Sequence, residues 1–225
     1  MGKTVVINGA PVGDGHPCFI VAEAGINHNG DPEIAKRLIT TAALCGASAV
    51  KFQKRSTKDI LVREALERLY ESPHAYATTY GEHRDKLELS EAAWRELATH
   101  ARGAGISFFA SPWDQKSADF LESLGVPAYK IASAAVTNLP LLAYIAKKGK
   151  PVIMSTGMST MEEIDDGVRT VLRHNPDLVL LHCVSNYPCE NHQVNLRMMQ
   201  TLRARYDVPV GYSGHEPGVA VSVAA

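Results

Sequence analysis

Lys51 and Lys130 each lie near the end of a short apolar run, residues 47–52 and 128–132. An ammonium in a buried strand must find a partner or stay wet, so a lysine there is rarely filler. Taken singly, either side chain could snorkel to solvent. Serines end the same run or other runs: Ser111, Ser133, Ser155, Ser185 and Ser213. Two lysines and several hydroxyls at strand ends point to an anion site, and a phosphate suits them because its oxygens accept hydrogen bonds from several directions. No Gly-x-x-x-x-Gly-Lys motif is present, so a nucleotide phosphate loop is unsupported and the anion is expected to be a small metabolite.

Glu23 and Gln53 end two neighbouring runs. Each could simply bond a nearby loop, or could meet a polyhydroxylated substrate or an attacking water. His215 follows Ser213 in Gly-Tyr-Ser-Gly-His-Glu. A lone histidine reads more readily as a hydrogen-bonded loop residue than as a metal ligand, since metal sites need several donors. His28, His182 and His192 are possible partners, but none has helical i,i+4 spacing and His182 falls inside a strand run.

The elements that must position these groups follow from the rest of the chain. Its 225 residues make one domain's worth of core, and 23 basic against 24 acidic residues give no field for nucleic acid or an anionic membrane. Four scattered cysteines, without a C-x-x-C pair, read as reduced thiols, two of them within strand patterns (Cys18 and Cys183). No signal-peptide core or membrane-length apolar run occurs, which predicts a cytoplasmic protein.

Asn8-Gly9 after Val5-Val6-Ile7 predicts a hairpin within residues 1–17. Short apolar runs then recur at 18–23, 47–52, 107–110, 128–132, 151–154, 178–183 and 208–210. Amphipathic stretches separate them at 32–44, 91–104, 116–124, 139–147, 161–173 and 194–205, and a further helix begins within 219–225. Asp31-Pro32 and Ser159-Thr160-Met161-Glu162-Glu163 carry helix-start signals. The alternation predicts parallel strands covered by helices. An open doubly wound sheet gathers ligand groups at one switch point, whereas a barrel gathers every strand's C-terminal end at one mouth. Polar residues at nearly every strand end therefore favour an α/β (β/α)₈ TIM barrel. Residues 54–90 form a long polar insertion and a candidate lid.

Six motifs carry a family resemblance: Ala22-Glu-Ala-Gly-Ile-Asn-His-Asn-Gly30, Val50-Lys-Phe-Gln53, Tyr129-Lys-Ile-Ala-Ser133, Ser155-Thr-Gly-Met158, Leu181-His-Cys-Val-Ser-Asn-Tyr-Pro188 and Gly211-Tyr-Ser-Gly-His215. In this order they resemble the N-acetylneuraminate (sialic acid) synthase family over nearly the whole chain. The resemblance implies condensation of phosphoenolpyruvate with an N-acetylmannosamine-like aldehyde, with Mn²⁺ or Mg²⁺ as cofactor. It places Lys51, Lys130, Ser133, Ser155, Ser185 and Ser213 at phosphoenolpyruvate-holding positions, with Ser111 joining them. Glu23, Gln53 and Tyr187 match positions that meet the sugar or the water, and His215 matches one of two metal-binding histidines. Full-length members are implied to be homodimers, with no nucleic-acid or membrane partner.

The chain departs from that pattern in three respects. The second metal histidine belongs to an eighth strand, which residues 18–225 would not reach, so the barrel is expected to be truncated before strand eight. The resemblance also implies a C-terminal antifreeze-like domain that lends an arginine to the partner's site, and that domain is expected to be absent from residues 1–225. Ala135 stands where many relatives carry Asp or Glu, which leaves open the group that activates water. Little or no turnover is expected from this polypeptide alone. The alternatives are a non-catalytic phosphoenolpyruvate-binding fragment and a synthase for a related nonulosonate.

Overall fold

Asn8 and Gly9 both adopt positive φ, 49° and 81°, as the two central residues of a tight hairpin turn require. They join β1 (Val5–Ile7) to β2 (Ala10–Val12) in antiparallel register, Val5 opposite Val12. The molecule is described by a computed structural model covering residues 3–225, so Met1 and Gly2 of the expected hairpin span lie outside the described residues.

The strand–helix alternation follows. In order come β3 (Val21–Gly25), α1 (Pro32–Leu44), β4 (Ala49–Lys54), α2 (Thr57–Ile60), α3 (Arg63–Glu67), α4 (Tyr80–Leu87), α5 (Glu91–Gly103), β5 (Ser107–Pro112) and α6 (Gln115–Ser123). Then come β6 (Tyr129–Ile131), α7 (Leu139–Ala146), β7 (Val152–Ser155), α8 (Met161–Leu172), β8 (Leu178–Cys183), α9 (Met198–Arg205), β9 (Val210–Ser213) and α10 (Ala220–Ala224). The fold divides into two compact units, Phe19–Val126 and the N-terminal hairpin region with Pro127–Ala225.

Within Phe19–Val126, β3, β4 and β5 pair in parallel, with Glu23 opposite Lys51 and Gln53 opposite Ser111. Side chains alternate across a strand, so Phe52 and Phe108 share the face opposite Lys51 and Gln53. That face packs on helices: Phe52 and Phe108 lie 6.1 and 5.8 Å from Trp94 of α5 by ring centroids. Asp31 caps α1 through Glu33 N at 2.7 Å, with Pro32 as its first residue. Residues 55–90 form short helices, and the Thr79–Glu82 capping box starts α4. Gly30, at φ +81°, has the Lys86 carbonyl so near that an added Cβ would lie 2.2 Å from its oxygen. The turn after β3 and the end of the insertion therefore meet backbone to backbone.

In the second unit, β6, β7, β8 and β9 pair in parallel. Lys130 lies opposite Ile153, Ser155 opposite Leu181 and Cys183 opposite Ser213, so these residues share a sheet face. Thr160 caps α8 and Glu163 reaches back to the Thr160 amide at 2.7 Å, as the sequence pattern predicts.

Three boundaries shift. The first strand of the repeat starts at Val21, because Ser48 N and Ala49 N both bond the Ile20 carbonyl and the regular ladder begins only after it. Cys18 is consequently exposed and outside a strand, contrary to the pattern-based expectation. The last strand runs Val210–Ser213 rather than through 208–210, since Pro209 has no N–H for the ladder. The helix expected from residue 194 begins at Met198, after a 3-10 turn at Asn191–Gln193 and a positive φ at Asn195.

Candidate functional site

The parallel register of β3, β4 and β5 brings Glu23, Lys51, Gln53 and Ser111 to one face of their unit. Lys51 Nζ lies 2.7 Å from Glu23 Oε2 and donates to Ser111 Oγ at 3.1 Å. The lysine side chain is 6% exposed and the glutamate 54%, so the buried cation is satisfied by an anion that stays wet. Because Ser111 Oγ accepts from Lys51, its own O–H remains to donate.

Gln53 belongs to a partly buried ionic group centred on the buried Arg55. Arg55 Nη2 donates to Gln53 Oε1, and Arg55 Nε lies 3.5 Å from Glu88 Oε1. The other oxygen of Glu88 takes Lys54 Nζ at 3.0 Å. The Arg55 guanidinium stands 4.9 Å over the Trp113 ring. Burial lowers the Arg55 pKa and raises that of Glu88, although Lys54 and Arg55 both oppose the rise of Glu88. Asp114 then ties the loops after β4 and β5 together, accepting from Ser56 N, Ser117 N and Ser117 Oγ, each at 2.7 Å.

In the unit containing Pro127–Ala225, Lys130 is buried and donates to Ser155 Oγ at 2.6 Å and to the Ile131 carbonyl at 3.1 Å. Ser133 Oγ accepts from Gly157 N at 3.0 Å. A Cβ on Gly157 would lie 2.5 Å from Ser185 Oγ and 2.9 Å from Ser133 Oγ, so the bare glycine backbone lets both hydroxyls close in. Ser155 and Ser133, like Ser111, accept from nitrogen and keep a hydroxyl proton to donate. Ser213 sits on β9 opposite Cys183 and makes no hydrogen bond to these groups among the described residues.

His215 Nδ1 donates to the Val184 carbonyl at 2.7 Å, and the Tyr187 ring stands 4.0 Å from the imidazole by centroids. That bond places the proton on Nδ1 and leaves Nε2 as a lone-pair donor, the tautomer suited to a metal ligand. The other histidines considered as partners have different surroundings. His28 is buried against Phe52, its Nδ1 accepting from Gly30 N at 3.0 Å, and burial lowers its pKa to about 4. His182 Nε2 donates to the Val194 carbonyl at 2.6 Å. Among the described residues no three His, Cys, Asp or Glu side chains gather into a metal-sized group. Ala135, buried in a 3-10 turn, supplies no proton acceptor from its side chain.

A model of the NeuB family matches residues 38–225. The chain belongs to the NeuB family. Among its relatives, N-acetylneuraminate-9-phosphate synthase of Mus musculus is 45% identical over 215 residues, covering 95% of this chain and 60% of that protein. N,N'-diacetyllegionaminic acid synthase of Legionella pneumophila is 43% identical over 233 residues, covering 100% of this chain and 65% of that protein. The chain thus spans about three fifths of the length of such NeuB relatives. The crystal structure of N-acetylneuraminic acid (sialic acid) synthetase from Leptospira borgpetersenii, in complex with citrate, matches with a TM-score of 0.87 at 32% identity. That match covers 98% of this chain and 73% of the Leptospira chain. The α/β fold is accordingly of the TIM-barrel type, as the strand–helix repeat predicts.

Sequence reasoning missed Arg55, Glu88 and Gly157. Arg55 and Glu88 meet only through the path of the insertion, so no local pattern joins them. Gly157 lies inside Ser155-Thr-Gly-Met158, yet its contribution is the absence of a side chain.

Proposed function

We propose that this chain carries the strand-end groups of a nonulosonic acid synthase that condenses phosphoenolpyruvate with an N-acetylmannosamine-like aldehyde. The observation that carries the proposal is the shared polarity of Ser111, Ser133 and Ser155. Each accepts from a nitrogen donor and keeps its own proton to donate, and two of the donors are buried lysines. Such donor-rich groups favour an anion with several oxygens. The reading is supported by its relatives being synthases of N-acetylneuraminate 9-phosphate and N,N'-diacetyllegionaminic acid, and by the citrate bound to the Leptospira synthetase.

In this reaction C3 of the enol forms a bond to the aldehyde carbon as the carbonyl π bond breaks and its oxygen takes a proton. Water adds to C2, losing a proton, and the C2–O bond breaks to release phosphate with its bridging oxygen, leaving a ketone. Within Phe19–Val126, Lys51 and Ser111 would serve as anion-holding groups, and within Pro127–Ala225 Lys130, Ser133, Ser155, Ser185 and Ser213 would do so. Glu23 and Gln53 would meet the sugar or the attacking water, and the exposed Tyr187 ring of the other unit is a further candidate for that role. His215 Nε2 suits one ligand position of Mn²⁺ or Mg²⁺. The described residues do not assemble the rest of a metal site.

Calorimetry with phosphoenolpyruvate, metal omitted, tests the proposal. Binding is expected, and Lys51→Met and Lys130→Met should each weaken it at least tenfold, about the worth of one charge-assisted hydrogen bond. Absence of binding at millimolar phosphoenolpyruvate refutes it. Mass analysis after adding N-acetylmannosamine and Mn²⁺ then distinguishes condensation from binding alone.

A further inference from the structure

The side-chain amide of Gln53 has one permitted direction, set by a residue outside the family motifs. A guanidinium carries only donors, so the Gln53 atom facing Arg55 Nη2 must be the oxygen. The amide nitrogen consequently faces away from Arg55. A point at the Cβ position of Gly25 lies 3.8 Å from Gln53 Nε2 and 3.1 Å from Glu23 Oε1, so a donor and an acceptor flank the same spot.

Arg55 is itself immobilised. It is buried between the Trp113 ring and Glu88, whose second oxygen is taken by Lys54. Buried ion pairs contribute little net stability against apolar replacements of similar size, so stability alone does not account for this group. Its geometric effect is specific: the guanidinium cannot turn without breaking its ring contact and its carboxylate contact together.

We propose that Arg55, held by Glu88 and Trp113, is a positioning residue that locks the Gln53 amide as a donor beside the Glu23 acceptor. The pair is thereby set to recognise a hydroxylated carbon chain, in which each hydroxyl both gives and takes a hydrogen bond. The assignment of that chain to the aldehyde substrate rests on the synthase proposal, whereas the locking of the amide does not.

The test uses the full chain, with side-chain amide NMR of Gln53 assigned by loss of the signals in Gln53→Glu. In the wild type the two amide protons should resonate away from the range of free glutamine side chains and exchange slowly. Arg55→Met should return them to that range while the backbone signals of Val50 and Phe52 hold. Arg55→Lys, which keeps a donor and a cation near Glu88, should restore them in part and serves if Arg55→Met does not fold. Unchanged Gln53 signals in folded Arg55→Met, or in Arg55→Lys where Arg55→Met does not fold, would overturn the positioning role.

The second readout is affinity. Arg55→Met should weaken N-acetylmannosamine binding about tenfold, the scale expected when one bound group loses its orientation, and leave phosphoenolpyruvate binding unchanged. An equal loss for both ligands, or none for the sugar, would overturn the recognition role. If the wild type binds neither ligand, the synthase proposal fails and the recognition role falls with it, while the NMR signals still decide whether Arg55 locks the amide.

Discussion

Lys51 and Glu23 face each other at 2.7 Å across β3 and β4, yet the lysine is buried and the glutamate half exposed. The two halves of this ion pair therefore respond differently to removal. Replacing Lys51 by Met leaves a carboxylate that water can solvate, and stability should change by less than about 1 kcal/mol. Replacing Glu23 by Ala strands a buried ammonium with Ser111 and should cost roughly 1–3 kcal/mol. Urea midpoints of the two variants check the difference, and equal losses would refute the asymmetry.

Gly157 is expected to be intolerant of even one methyl group. Its Cβ would press on Ser185 Oγ at 2.5 Å and on Ser133 Oγ at 2.9 Å. Gly157→Ala should lower stability by about 1–3 kcal/mol, the usual cost of overpacking. Pushing both hydroxyls aside should also weaken phosphoenolpyruvate binding. Thermal melting and calorimetry read the two effects, and a variant with wild-type values for both would exclude the close packing of the two hydroxyls on Gly157.

His28 gives stability a pH dependence of known sign. Its pKa in the folded protein is lowered to about 4 by burial, against an ordinary value of 6.5. Between these values the unfolded chain binds more protons than the folded one, so stability rises with pH across pH 4 to 6.5 and falls as acid is added. The full swing is roughly 3 kcal/mol. Urea unfolding across this range should show the slope in the wild type and a flatter profile in His28→Gln. Identical profiles would show that another group is responsible.

Asp114 should matter more than an ordinary helix cap. It accepts three hydrogen bonds, two from Ser117 at the start of α6 and one from Ser56 in a different loop. Asp31 caps α1 through neighbouring amides on an exposed surface. Asp114→Ala is therefore expected to cost about 2–3 kcal/mol and Asp31→Ala about 1 kcal/mol. Chemical denaturation of both variants compares them directly, and a reversed order would refute the reasoning.

Features governed by neighbours in the chain were legible in the sequence. Asn8-Gly9 announced its hairpin, Asp31-Pro32 its helix start, and Thr160 with Glu163 its capping box, because each depends on a few consecutive residues. The chemical type of Lys51 and Lys130 marked them as unusual in apolar strands, and both do donate to serines on the adjacent strand. Strand limits were less legible: the run starting at Cys18 is apolar well before the ladder begins at Val21. Least legible were relations created by the chain's return, such as Glu88 meeting Lys54 and Arg55. Hydropathy records which residues avoid water, but not which distant charge each will find inside.

The close approach of Gly30 to the Lys86 carbonyl bears on how the segment between β4 and α5 can be exchanged among related proteins. One end of that segment is keyed into a turn that has no room for a side chain, and the three atoms nearest that position all belong to Lys86 and Leu87. A chimera that swaps 57–78 keeps this joint. One that also replaces Lys86 and its neighbours must import a matching glycine turn or lose its seat. Gly30 thus marks where a transplanted insertion should be spliced.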